Sequence, residues 1–189
     1  MKIAILIGSI RQGRQSHKIA HHLQQVLQQR GLTTDLVDLA DVQLPMLEER
    51  VGKHPQLPHT AQELSNRLHA ADAIILVTPE YHGSFSGVLK NALDYFYAEF
   101  NKKVVGTVGV SAGKFGGINA ASQLQQVILS LGAFPLPTKL LVPEVYGAFN
   151  DGHELTNEHT TRSAQKFIDD FYWLASAVQE KKQLQPLAV

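Results

Sequence analysis

The chain has 189 residues, 44% apolar and 18% charged, enough for one sizeable core and short for two, so residues 1–189 are expected to form a single domain. Lysine plus arginine balances aspartate plus glutamate at 17 each, so no overall field draws the protein to nucleic acid or an anionic membrane, and any bound anion must be held locally. There is no cysteine, which excludes disulfides, thiolate-held iron–sulfur clusters and thiol redox chemistry; a redox protein of this sequence must borrow its chemistry.

The N-terminal run MKIAILI ends at Gly8, too short for a signal segment and far from the ~20 residues that span a bilayer, so the expected location is the cytoplasm. Lys2 to Ile7 reads as a strand buried on both faces. Ile19, Leu23, Val26 and Leu27 then follow helical spacing, with Ser16 as the expected N-cap and Gly31 placed to end the helix. Thr33 to Leu39 alternates like a second strand, and Ala40 to Pro58 is loop-like, interrupted by Pro45, Gly52, Pro55 and Pro58. A helix through Leu64, Leu68 and Ala71 leads to the third strand, AIILV, Ala73 to Val77.

The next helix carries Val88, Leu89, Ala92, Leu93 and Phe96 on one face. Tyr95, Tyr97 and Phe100 fall on the other, where exposed aromatics would mark an interface. Lys103 to Val110 is a fourth strand, and Ile118, Ala121, Leu124, Ile128 and Leu131 mark a helix closed by Gly132. PTKLLVPE supplies a fifth strand, and a last helix runs from Thr156 to about Lys181, with Trp173 off its apolar stripe. Strands and helices in alternation argue for an α/β fold whose parallel sheet is covered on both faces.

Ligands of open α/β sheets bind beyond the carboxyl ends of the strands, near the switch in strand order. Three such ends are rich in glycine and serine: GSIRQGRQS after strand 1, TPEYHGSFSG after strand 3 and SAGKFGG after strand 4. A flavodoxin-like order 2-1-3-4-5 brings them onto one rim. The first has the chemistry of a phosphate site, with hydroxyls from Ser9 and Ser16, close backbone approach at Gly8 and Gly13, a helix N-terminus and the fork of Arg11. An ordinary helix start with solvated arginines has the same composition.

Sharper motifs do not fit. Ile10 stands at the second glycine of a dinucleotide fingerprint, Val108 at the first glycine of a Walker loop with Phe115 after Lys114, and GSFSG misses the nucleophile elbow. His17, His21 and His22 include an i, i+4 pair without a third ligand, and GHE at Gly152 to Glu154 is no zinc motif, so no metal is expected.

With these residues in view the chain resembles the NAD(P)H-dependent FMN reductase family, flavodoxin-like flavoproteins that include azo-dye, quinone and chromate reductases. The family's G-S-x-R-x-x-x-x-S loop is similar to Gly8, Ser9, Arg11 and Ser16. Its P-E-Y-N-G-S-x-x-G-x-L-K-N-A-x-D signature is matched by Pro79, Glu80, Tyr81, Gly83, Ser84, Gly87, Leu89, Lys90, Asn91, Ala92 and Asp94, with His82 in place of asparagine. Its S-x-G-x-x-G-G loop is matched by Ser111, Gly113, Gly116 and Gly117.

The resemblance implies a flavodoxin-like, five-stranded, doubly wound sheet that binds FMN and uses NADPH or NADH as co-substrate. It implies Ser9, Arg11 and Ser16 on the FMN phosphate, with Pro79, Glu80, Tyr81, His82, Gly83 and Ser84 bordering the isoalloxazine. The resemblance also implies Ser111, Gly113, Lys114 and Gly116 on the other side of the ring; no basic residue is assigned to a 2′-phosphate by the sequence, with Lys114 and Arg14 as candidates. Flavin N5 carries the chemistry, so ping-pong hydride transfer needs no essential acid, base or nucleophile. Acceptors would be small molecules: a quinone, an azo compound, a metal oxyanion or free flavin. Family members are commonly homodimers or homotetramers.

Two other functions use the same residues differently. A flavodoxin-type electron carrier would bind FMN without NAD(P)H turnover, but such proteins usually have an arginine-free phosphate loop and a marked acidic surface, which this chain lacks. A binding module would recruit a partner through Tyr95, Tyr97 and Phe100.

Overall fold

A computed structural model describes residues 1–152 and 154–185; His153, the centre of GHE, lies outside the described residues. The elements are β1 (Lys2–Ile7), α1 (Ser16–Gln29), β2 (Thr33–Asp38), a one-turn α2 (Leu39–Val42), α3 (His59–His69), β3 (Ala73–Tyr81), β4 (Ser84–Phe85) and α4 (Gly87–Tyr95). After these come β5 (Val104–Val110), α5 (Ile118–Ser130), β6 (Phe134–Pro135), β7 (Leu140–Val142), a 3-10 turn (Val145–Gly147) and α6 (Glu158–Leu184).

The main ladders are parallel in the order β2-β1-β3-β5-β6. Strand 4 of the sequence reading is β5, so the predicted order 2-1-3-4-5 holds. The fifth position is built from two pieces: Val104 and Val105 pair with Phe134 and Pro135, while Val108 to Val110 pair with Leu140 to Val142. The proline pair explains the break, because Pro135 and Pro137 have no N–H for a ladder. Gln125 on α5 satisfies part of the gap, its Nε2 donating to the Leu136 carbonyl at 2.6 Å.

Every residue from Ile3 to Ile7 is fully buried because the strand has helices on both sides. Ile3, Ile5 and Ile7 face Leu23 and Leu27 of α1 and Phe167 and Phe171 of α6. Ala4 and Leu6 face Leu64 and Leu68 of α3, Leu89 of α4 and Leu124 of α5. At Gly106 a Cβ would lie 2.6 Å from Phe167 Cζ, so that ring packs directly on the β5 backbone.

Three details differ from expectation. The loop TPEYHGSFSG is mostly ordered: β3 runs on to Tyr81 and pairs antiparallel with β4, Glu80 opposite Phe85 and Tyr81 opposite Ser84. His82 and Gly83 close this hairpin with φ of 51° and 77°, the left-handed pair of a two-residue turn. Histidine tolerates that conformation better than most residues, as asparagine does, which accounts for its presence here. Next, α1 takes Gln15 as its N-cap without a side-chain bond, and Ser16 is its first residue.

Finally, α4 stops at Tyr95, and Phe96 leaves it with extended backbone. The chain turns back, so Tyr95 and Phe100 are buried at 1% and 0% exposure, and only Tyr97 faces outward. The expected aromatic face of Tyr95, Tyr97 and Phe100 does not exist, because the helical period that would place it ends too soon. Trp173 is exposed as its position off the stripe implied. No described helix is long and apolar enough to cross a membrane.

Candidate functional site

β1 ends beside β3, and the chain leaves it under tight constraint. Gly8 donates to the Val77 carbonyl at 2.7 Å, and a Cβ there would come within 2.9 Å of that same oxygen. Ser86 caps α4, accepting from the Leu89 N–H at 3.3 Å, and its hydroxyl donates to the Gly8 carbonyl. Ser9 is buried, its Oγ 3.2 Å from the Tyr81 hydroxyl. Arg14 reaches back to the Ser9 carbonyl and forks onto Asp38 at the end of β2, with Nη1 2.6 Å from Oδ1 and Nη2 on Oδ2.

From Ile10 to Gln12 the backbone donors are uncommitted. The N–H groups of Ile10, Arg11 and Gln12 donate to no atom of the described residues. Ser16 Oγ is buried at the start of α1 and has no partner among the described residues. Arg11 is exposed and forms no ion pair among them; its guanidinium donates to the Tyr146 hydroxyl at 3.4 Å. Hydrogen bonding to Tyr146, then to Tyr81, raises its pKa further, so the charge is permanent. Successive free amides, a helix N-terminus, a buried free hydroxyl and a guanidinium without a carboxylate are the donor chemistry that suits an anion.

The second and third loops are tied to one another. The Glu80 carboxylate accepts from the Asn119 N–H at 3.0 Å, the Ala120 N–H at 3.2 Å and Asn119 Nδ2 at 3.1 Å, capping α5, whose own N-cap residue is Gly117. Ser84 Oγ donates to Gln123 Oε1 at 2.8 Å, and Gln123 Nε2 donates to the Gly83 carbonyl at 2.8 Å. Gly116 and Gly117 both have positive φ, and a Cβ on Gly109 would meet the Gly117 carbonyl at 2.5 Å, so the third loop lies directly on β5. Ser111 Oγ donates to the Gly113 carbonyl at 2.9 Å, while the Val145 N–H donates to the Ser111 carbonyl at 3.1 Å and brings the 3-10 turn over the rim.

These elements enclose a cleft of about 140 Å³ at the carboxyl edge of the sheet. Ser9, Arg11, Arg14, Gln15 and Ser16 line it from the first loop, Pro79, Glu80 and Tyr81 from the second, Val110, Ser111 and Ala112 from the third, and Val145 and Tyr146 from the 3-10 turn. Among the residues expected from sequence, Ser9, Arg11, Ser16, Pro79, Glu80, Tyr81 and Ser111 meet here. His82, Gly83 and Ser84 sit at and beside the hairpin tip, and Gly113, Lys114 and Gly116 farther along the third loop, all outside this lining.

Arg14 is committed to Asp38 and is not open to a 2′-phosphate. Sequence reasoning missed Tyr146, which sits past the fifth strand, an end without glycine or serine texture; its one signal is that it follows a strand of the same parallel sheet. No group of three metal-ligating side chains exists among the described residues; the His17 and His21 rings stand edge to face, 6.2 Å apart.

The sequence pattern of the NADPH-dependent FMN reductase family matches residues 1–147. The chain is 31% identical over 175 residues to an FMN-dependent NADPH-azoreductase of Staphylococcus haemolyticus, covering 89% of this chain and 92% of that one. Its fold is similar to that of FerB, a flavoenzyme NAD(P)H:(acceptor) oxidoreductase from Paracoccus denitrificans, with a TM-score of 0.78, 26% identity and coverage of 95% and 97%. A Streptococcus pneumoniae TIGR4 flavodoxin shares the fold alone, at 15% identity and a TM-score of 0.57 over 90% and 96% of the two chains.

Proposed function

The chain belongs to the NADPH-dependent FMN reductase family, an FMN-dependent NAD(P)H oxidoreductase, and from that premise we propose that the cleft holds FMN with its phosphate on the first loop. The observation that carries this reading is the concentration of uncommitted donors there: the amides of Ile10, Arg11 and Gln12, the buried Ser16 hydroxyl and the Arg11 guanidinium. A phosphate dianion offers acceptors for all of them. Ser9 exchanges its contact with Tyr81 for a phosphate oxygen, and Arg11 likewise leaves Tyr146.

In this reading Pro79, Glu80, Tyr81, His82, Gly83 and Ser84 border the ring on one side, and Ser111, Gly113, Lys114 and Gly116 on the other. Glu80, Ser84 and Ser111 act through backbone, because the Glu80 carboxylate and the two hydroxyls are tied to groups within these loops and α5. When bound, the flavin supplies hydride acceptance at N5 and its onward delivery. The protein's part is to fix the ring with one face open and to aim backbone dipoles at the charge that grows on it.

Nicotinamide and acceptor would use that face in turn, giving ping-pong kinetics. The acceptor is a small molecule, of the quinone, azo, metal-oxyanion or free-flavin kind, and Lys114 is the remaining basic candidate for a 2′-phosphate. We place the protein in the cytoplasm as a homodimer or homotetramer, folded as one domain. The test is direct: the purified protein should bind FMN and, with a quinone or azo dye present, consume the near-ultraviolet absorbance of NADPH. Tight FMN binding without NADPH turnover would make it an electron carrier, and absence of FMN binding would sink the reading.

A further inference from the structure

The first loop carries two arginines three positions apart, and the fold uses them differently. Arg11 has no carboxylate partner among the described residues. Arg14 is half-buried and holds Asp38 in a two-pronged fork, with one of its prongs shared with the Ser9 carbonyl. Asp38 is itself anchored, since it is the N-cap of α2 and accepts from the Ala40 N–H at 3.0 Å. A continuous chain of bonds therefore runs from the end of β2 through Asp38 and Arg14 to the backbone of the phosphate loop.

That chain fixes a direction. The described peptide bonds are trans, so the Ser9 carbonyl and the Ile10 N–H point opposite ways across one planar unit. Arg14 holds the carbonyl toward itself, which turns the first of the uncommitted amides away from the Asp38 carboxylate. The same fork neutralises Asp38, which unpaired would repel an anion in the adjoining cleft.

We propose that Arg14 is a positioning residue for the phosphate-binding loop: through Asp38 it sets the Ser9–Ile10 peptide for an incoming phosphate, leaving Arg11 to make the contact. This rests on the FMN reading above. Lysine at position 14 keeps the charge but reaches one partner at a time, so charge and geometry separate.

The experiment compares wild type, Arg14→Lys and Arg14→Gln by titration with FMN and with riboflavin, which lacks the phosphate, alongside urea unfolding of each. Both variants should bind FMN more weakly, Arg14→Lys about tenfold, the effect of losing one charge-assisted hydrogen-bond set, and Arg14→Gln more than that because it also leaves Asp38 unpaired, with riboflavin affinity unchanged. Wild-type affinity for FMN in Arg14→Lys would reduce Arg14 to a point charge and overturn the proposal. Equal weakening toward FMN and riboflavin would make it a general scaffold residue and overturn it too. If a variant does not fold, Asp38→Glu, which keeps the ion pair but moves its anchor, supplies the same FMN-to-riboflavin ratio. Wild type that binds no FMN defeats the functional reading; wild type that binds FMN without the split defeats this inference alone.

Discussion

The first loop and the paired second and third loops border one cleft, yet they handle their polar groups differently. In the first, three consecutive amides, a buried hydroxyl and a guanidinium are without strong partners among the described residues. In the others, Glu80 caps α5, Ser84 and Gln123 close the hairpin onto that helix, and Ser111 holds the turn at Gly113. The contrast teaches that glycine- and serine-rich texture has two uses. The first loop keeps donors in reserve, as the proposed phosphate site requires, whereas the second and third have their backbone shape fixed beforehand. Substitutions in the first should therefore disturb affinity, and those in the second and third should disturb stability first.

The largest effect is expected where the third loop lies on β5. Gly109→Val places side-chain atoms where the Gly116 and Gly117 carbonyls already are, at 2.9 and 2.5 Å from even a Cβ. Urea unfolding should show a loss of about 3 kcal/mol, as for severe overpacking. A loss under about 1 kcal/mol would mean that the loop readily moves off the strand, against the rigidity argued for it.

Arg11→Ala tests the opposite side of the contrast. FMN affinity should fall about 10- to 100-fold, the range for a charge-assisted contact, while the urea midpoint stays put. Equal loss of stability would erase the distinction between the loops. Glu80→Ala should behave in reverse, destabilising by about 1 kcal/mol through the lost helix cap, with a smaller effect on FMN. If FMN binding collapses while stability is unchanged, Glu80 belongs with the gripping residues.

The smallest effect lies outside the cleft and serves as the comparison's control. Lys103 is buried, donating from Nζ to the Leu68 carbonyl at 2.7 Å and the His69 carbonyl at 3.0 Å at the end of α3. Burial, and then Lys182, lowers its pKa from 10.5 to about 8, against the pull of Asp72 and Glu99. Between those two values the unfolded chain binds the proton that the folded one has released, so stability should rise with pH across that window and be level with respect to this group below it. The rise should be about 1 kcal/mol, less than the full shift implies, because the two carbonyls favour the ammonium. It should vanish in Lys103→Met and leave FMN affinity unmoved; a rise that persists in the variant belongs to another group.

Much of this was legible from the chain alone. β1, β3 and β5 announce themselves because burial on both faces demands unbroken apolar runs, and α1 and α5 because their stripes keep a 3.6-residue period and close at Gly31 and Gly132. Ser9, Arg11 and Ser16 could be picked out because they follow a strand within one short loop. The aromatic face of α4 could not be judged, since where a helix stops depends on what the next turn packs against.

The alternation of strand and helix and the location of the polar loops can be read along the chain, because both are set by interactions between near neighbours. Which donors stay available depends instead on contacts between residues far apart in the chain. Arg14 meets Asp38 across 24 positions, Glu80 meets Asn119 across 39, and Arg11 meets Tyr146 across 135. An arginine left without a carboxylate and one that forks onto a carboxylate are the same residue type in the same stretch of sequence. They differ only in whether the fold brings a carboxylate within reach, and that is set by the parallel pairing that carries the end of β2 to the side of β1.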